Sequence, residues 1–170
     1  MAFQGTINRL NTYGIQGDVA NGQVPHYTPT TPRVKADETI YAGDFVWVTD
    51  DNGVATCEKT SESGHTTKPT GIVQRVQDVP LASGSEASLQ IPAGRKADVV
   101  VWGDMFVKVS NTSSAAVGQK IYVNLTTGAI TCAATGDATS GIIETDWEIV
   151  SLANNAKSAT GSVVVVSNVR

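Results

Sequence analysis

Apolar residues along this chain come in short runs, and Gly, Asn, Asp and Pro separate the runs. Phe45, Val46, Trp47 and Val48 form a β-branched and aromatic run; Asp50-Asp51-Asn52-Gly53 follows, and Val54-Ala55-Thr56-Cys57 returns. Asn-Gly accepts positive φ at both central turn positions, so this stretch predicts a β-hairpin. The same pattern predicts strands over residues 70–76, 88–91, 97–102, 105–109, 121–123, 129–132, 141–143, 147–150 and 162–167, with the first strand beginning near Thr39. Only residues 152–157 read as a helical turn, and weakly. Val46 and Val48 alternate with Phe45 and Trp47, yet both sets are apolar. Such a strand is expected to be buried on both sides or to lie at an interface.

The hairpin is written twice. Residues 42–57 read AGDFVWVTDDNGVATC and residues 117–132 read VGQKIYVNLTTGAITC. Gly43 matches Gly118, Trp47 matches Tyr122, and Cys57 matches Cys132. After each copy comes a polar loop, then a Gly-Ile strand (Gly71-Ile72-Val73, Gly141-Ile142-Ile143), then a Val-rich strand (Val99-Val100-Val101, Val163-Val164-Val165-Val166). Two β-units of this kind can close around one core and hide their edges. The expected fold is therefore all-β: a single jelly-roll-like β-barrel or sandwich of two pseudo-repeated units. An approximate internal two-fold is expected to set Trp47 against Tyr122 and Cys57 against Cys132.

Residues 1–36 differ from the rest. They carry Gly5, Gly14, Gly17, Gly22, Pro25, Pro29 and Pro32 and show no sustained period. Tyr13, Ile15, Val19, Val24 and Tyr27 are apolar anchors that a solvated tail usually lacks. The reading is an extended, irregular N-terminal arm over residues 1–36 on a β-domain over residues 37–170. Strands from Thr39 onward are expected to supply the core, so the domain is expected to fold without the arm. Tyr13, Ile15, Val19, Val24, Tyr27 and Arg33 are the candidate contacts to a partner surface.

Composition narrows the function. The chain has 170 residues, enough for one real core, with 16% charged residues and 16 Gly, which suits strands and turns better than a helical bundle. Net charge is −4, and Arg95-Lys96 is the nearest approach to a basic cluster, so no nucleic acid partner is expected. No apolar run approaches the roughly 18 residues of a membrane span, and residues 1–5 do not open as a signal peptide, so no membrane partner is expected. Two Cys make no disulfide framework; reduced thiols are the default. Cys57 and Cys132 read as small buried hydrophobes, with a facing thiol pair as the alternative.

Candidate chemistry is sparse. His26 lies in the arm and His65 in a Ser/Thr/Gly loop, neither at a metal-ligand spacing. Asp50-Asp51-Asn52-Gly53 lacks the alternating acids and distal Glu of a calcium loop and reads as the hairpin turn. No nucleophile elbow, P-loop or dinucleotide fingerprint occurs. No enzyme activity, cofactor or metal is expected.

Several stretches carry a resemblance: Gly17-Asp18-Val19-Ala20, Ala42-Gly43-Asp44-Phe45-Val46-Trp47, Pro69-Thr70-Gly71-Ile72-Val73-Gln74-Arg75, Ile91-Pro92-Ala93-Gly94, Gly103-Asp104-Met105-Phe106-Val107-Lys108 and Val117-Gly118-Gln119-Lys120-Ile121-Tyr122-Val123. In order and spacing they resemble the capsid cement (decoration) proteins of tailed phages over most of the chain. The resemblance implies a structural virion protein on the outer capsid surface, assembled in the host bacterial cytoplasm. Such proteins sit as homodimers or homotrimers and clamp neighbouring subunits of the phage major capsid protein. The rival is a carbohydrate-binding β-module of a phage spike or tail, with Trp47, Trp102, Trp147 and Tyr122 as stacking platforms.

Overall fold

Both repeated stretches fold as hairpins. The computed structural model describes residues 14–20, 24–51, 53–61, 64–75, 89–110, 115–152 and 162–169. Its strands are β1 (His26–Tyr27), β2 (Arg33–Val34), β3 (Ile40–Tyr41), β4 (Phe45–Asp51), β5 (Val54–Glu58), β6 (Gly71–Val73), β7 (Gln90–Ile91), β8 (Val99–Trp102), β9 (Asp104–Val109), β10 (Lys120–Asn124), β11 (Ile130–Ala133), β12 (Ile142–Leu152) and β13 (Ser162–Ser167). No α-helix forms among the described residues. The weak helical turn over residues 152–157 falls almost wholly outside them. The two strands expected over 141–143 and 147–150 are one strand, β12, bent by register shifts.

The strands make a six-stranded sheet in the order β1-β8-β6-β4-β5-β2, a five-stranded sheet in the order β11-β10-β12-β13-β9, and a two-stranded β3-β7 pair. Among the described residues no sheet closes on itself, so the barrel form of the expectation gives way to open sheets. Consecutive β8 and β9 lie in different sheets, with Gly103 at the switch. The two large sheets share one core. Phe45, Trp47, Ile72 and Val100 from the first pack with Met105, Val107, Ile121, Val123, Trp147, Ile149, Val164 and Val166 from the second. Fully burying a side chain of this size contributes about 1.5–3 kcal/mol, so this cluster dominates stability.

The repeat holds at the level of topology. Within the first sheet the order is β8-β6-β4-β5, and within the second it is β13-β12-β10-β11, so hairpin, Gly-Ile strand and Val strand take the same neighbours in both. The faces do not follow. Phe45 and Trp47 enter the shared core, while Val46 and Cys57 enter a second cluster on the other face, with Val34, Ile40, Val73, Ile91, Ala97 and Val99. In the second unit, Ile121 and Cys132, the sequence mates of Val46 and Cys57, enter the shared core. Tyr122, the mate of Trp47, lies on the opposite face. A two-fold matching the hairpins residue for residue would send mates to the same cluster, so the expected pairing of Trp47 with Tyr122 and of Cys57 with Cys132 does not hold. No disulfide joins the two Cys; both are buried, in different clusters.

The turns also differ. Asp51 pairs with Val54 across the first turn, where Gly53 takes φ 81°. In the second, the last paired residues are Val123 and Ile130, the Asn124 amide donates to Ala129 O at 2.9 Å, and Gly128 takes φ 66°. Cys57 therefore faces Val48, whereas Cys132 faces Ile121 and not Val123. That offset is two residues, an even number, so it leaves the strand's faces unchanged. Inversion comes from how each sheet is covered, not from a slip.

Residues ahead of Thr39 take part in this architecture. β1 pairs with β8, and β2 lies parallel to β5. Residues 17–20 run along β9: the Gly17 amide donates to Phe106 O at 2.7 Å, the Phe106 amide to Asp18 O at 3.0 Å, and the Ala20 amide to Asp104 O at 2.8 Å. Ala20 packs on Phe106 and Val165, and Val34 joins the second cluster, with exposures of 1% and 2%. Strand pairing thus begins earlier than the pattern indicated. Segments from the first 34 residues satisfy edges that would otherwise offer unpaired amides.

Candidate functional site

The residues singled out as partner contacts fall into groups. Ile15, Val24 and Tyr27 are exposed, at 48%, 79% and 45%. Val19 is half-buried; it bridges to Met105 and packs on the shared core. Arg33 is exposed, and its guanidinium donates to Gly94 O at 3.0 Å, which ties β2 to the turn after β7. Tyr13 lies outside the described residues. The side chains available to a partner are therefore Ile15, Val24 and Tyr27, with Arg33 partly engaged.

The fold fixes their carrier tightly. Arg75 Nε donates to Asp18 Oδ1 at 2.6 Å, and the Arg75 amide donates to Gly17 O at 2.9 Å. This charge-assisted clamp seats residues 17–18 on the segment just after β6. Tyr27 Oη donates to Gln74 Oε1 at 2.6 Å, and burial together with the nearby Asp98 raises its pKa. His26 packs on Trp102 with ring centroids 4.6 Å apart. Asp18 and Arg75 each lie in a stretch that carried the family resemblance. Nothing in the linear sequence paired them, because they are far apart in the chain.

The remaining polar clusters satisfy themselves. Asp44 accepts from Lys59 Nζ and from the Tyr41 amide, each at 2.9 Å, at the edge of a cleft of about 300 Å³ that Gln16, Lys108 and Ile130 also line. Burial pushes the Asp44 carboxyl up, and Lys59 opposes it. Tyr122 Oη lies 2.6 Å from Glu144 Oε2 and accepts from the Asp137 amide at 3.2 Å; the Gly136 amide donates to Glu144 Oε2 at 2.8 Å. The Tyr122 hydroxyl, then the Gly136 amide, hold the Glu144 carboxyl below its usual range. Among the described residues, no group of three or more His, Cys, Asp or Glu could hold a metal. His65 stacks flat on Trp47, with centroids 3.8 Å apart and planes 9° apart, a contact no sequence motif announced.

This is the geometry of an all-β scaffold held together by a large apolar core and an edge-covering N-terminal segment. The comparisons place it among structural proteins of phage capsids. A profile of the XM1 gp53 minor capsid protein family matches residues 3–168, and the chain belongs to that family. Its role is structural, within a phage capsid. Among solved structures, a chain of the capsid of Myoviridae phage XM1 has the same fold: TM-score 0.59 and 17% identity, over 99% of this chain and 98% of that one. No curated protein matches.

Proposed function

We propose that the protein is a capsid cement, without catalytic activity, that binds the outer surface of the phage shell and clamps neighbouring major capsid subunits. The observation that carries this reading is the N-terminal segment: firmly seated by Asp18–Arg75, β1 and β2, it still presents Ile15, Val24 and Tyr27 to solvent. Apolar groups on a rigid carrier suit a partner surface, because little ordering is needed on binding. In this reading residues 1–36 act as the arm and residues 37–170 as the body. The body is jelly-roll-like in the sense the family resemblance implies, and the protein works as a homodimer or homotrimer. The carbohydrate-binding alternative draws no support: Trp47, Trp147 and Tyr122 are buried, at 4%, 4% and 2%, which leaves Trp102 of the proposed platforms, half-buried beneath His26.

The test is titration onto undecorated shells, followed by heating to genome release. Wild-type protein is expected to bind and to raise the release temperature. A variant with Ile15→Ser, Val24→Ser and Tyr27→Ser is expected to fold but to lose most binding. If wild type binds without altering release, the clamp reading fails. If the triple variant protects as well as wild type, these residues are not the contacts.

A further inference from the structure

The polar loop between β5 and β6 joins the two hairpin units, and His65 sits at the centre of the joint. The His65 amide donates to Leu125 O at 2.9 Å, and the Ser61 amide donates to Thr126 O at 3.0 Å; both acceptors lie in the β10–β11 turn. Lys68 Nζ reaches Asp146 Oδ1 on β12 at 2.6 Å. Trp47 Nε1 donates to Thr67 O at 2.8 Å, which holds the loop against β4. Between these ties the imidazole is 9% exposed and lies flat on the Trp47 indole. Among the described residues its Nε2 is buried without a hydrogen-bond partner. A buried nitrogen left unpaired in this way calls for a physical reason. A neutral imidazole tolerates such a site; an imidazolium, with a proton on both nitrogens, does not.

We infer that His65 is an acid-sensitive pin. Neutral, its ring lies flat on Trp47 while its own amide holds the β10–β11 turn; protonated, the ring leaves, and the loop releases the second unit.

The charges around it come from β5 (Glu58) and from the segment between β2 and β3 (Lys35, Glu38), and the Lys59 backbone offers the ring a hydrogen bond that also favours the cation. Trp47 on β4 and Leu125 and Thr126 in the turn bring none, and Lys68 on the same loop is engaged by Asp146. Glu58 Oε1 lies 3.9 Å from Nδ1, and Glu58 and Glu38 both favour the cation. Glu58 already pairs with Lys35, and Glu38 accepts from the Thr60 amide and hydroxyl. Burial outweighs them, and His65 is held below the usual imidazole range. The sign follows. The unfolded chain binds this proton more readily than the folded one, so the contribution is whole above about pH 6.5 and falls as pH drops below it toward the folded value.

The inference concerns the isolated chain and stands whether or not the shell reading does. The test is an NMR titration of the labelled full chain from pH 7.5 to 4.5, following the His65 ring and hydrogen exchange at the His65 amide, corrected for intrinsic pH dependence. The ring is expected to titrate below free imidazole, and amide protection to fall by up to about tenfold per pH unit in the window. In His65→Phe, which keeps a flat ring on Trp47 but cannot titrate, protection is expected to be insensitive to pH. An ordinary or raised His65 titration, or the same protection profile in both proteins, would overturn the inference. If His65→Phe does not fold, the wild-type titration decides alone.

Discussion

The two hairpin units carry one sequence pattern and bury it in opposite senses. In the first, β4 is covered on both sides: the shared core takes Phe45 and Trp47, and the second cluster takes Val46 and Cys57. That second cover is made by β2, the β3–β7 pair and Ala97. In the second unit, β10 gives Ile121 and Val123 to the shared core. Its other face carries Tyr122 under a polar cover, the segment at residues 134–137 with Glu144. Trp47 sets its rings in the shared core and donates its one N–H to Thr67 O, whereas Tyr122 ends in a hydroxyl that both donates and accepts under the polar cover. The difference teaches that a repeat conserves chain path and neighbour order, while the cover laid on each sheet decides which face becomes the core.

The sharpest break of this comparison is truncation at the matched aromatic pair. Trp47→Ala empties the shared core and is expected to cost about 3–5 kcal/mol by urea denaturation. Tyr122→Phe keeps the ring and loses its hydrogen bond, at an expected cost of about 1 kcal/mol. Equal costs would mean that the two positions are equivalent after all.

The matched glycines give the next contrast. Gly71 lies in β6, where an added Cβ would come within 2.3 Å of Val100 O. Gly141 has open space around it but takes φ 79°. Gly71→Asn is expected to cost about 1–3 kcal/mol or more through overpacking, and Gly141→Asn little, since Asn accepts left-handed backbone. Thermal melts of the two variants decide it; a large loss at Gly141 would contradict the open site.

The thiols provide a smaller effect. Burial pushes the Cys57 thiol up from 9.0 to about 12, so its thiolate population at a given pH is expected to be roughly a thousandfold below that of an unperturbed thiol. Alkylation of the native protein should then be limited by opening of the structure. Labelling of Cys57 at the rate of a free thiol would show that the second cluster is not closed.

The smallest expected effect is on the acid limb of stability. The Glu144 carboxyl is held low, so it contributes stability above its ordinary range and loses it as pH falls through the lowered value. Tyr122→Phe removes the leading cause and is expected to flatten stability against pH in that acid window, as followed by urea midpoints. An unchanged slope would mean that the Gly136 amide, with Lys120 and Lys68, sets the carboxyl without the hydroxyl.

The strands, the hairpins and the doubled order of hairpin, Gly-Ile strand and Val strand were legible in the sequence, because turn residues and β-branched runs act through the local backbone. So was the double burial of β4, written in its two apolar sets. The capsid family could be recognised because its motifs recur in order. Tertiary structure alone decided the rest. Phe45 and Ile121 share one core because the sheets pack that way, and no local rule chooses between two apolar faces. Asp18 meets Arg75, and His65 meets Trp47, through contacts between segments remote in sequence. Residues 1–36 read as an irregular arm because each piece is too short to show a period, yet β1 and β2 join a sheet and residues 17–20 bond along β9 once β8, β5 and β9 offer edges. A short strand has no signature of its own; the unpaired amides of its neighbour define it.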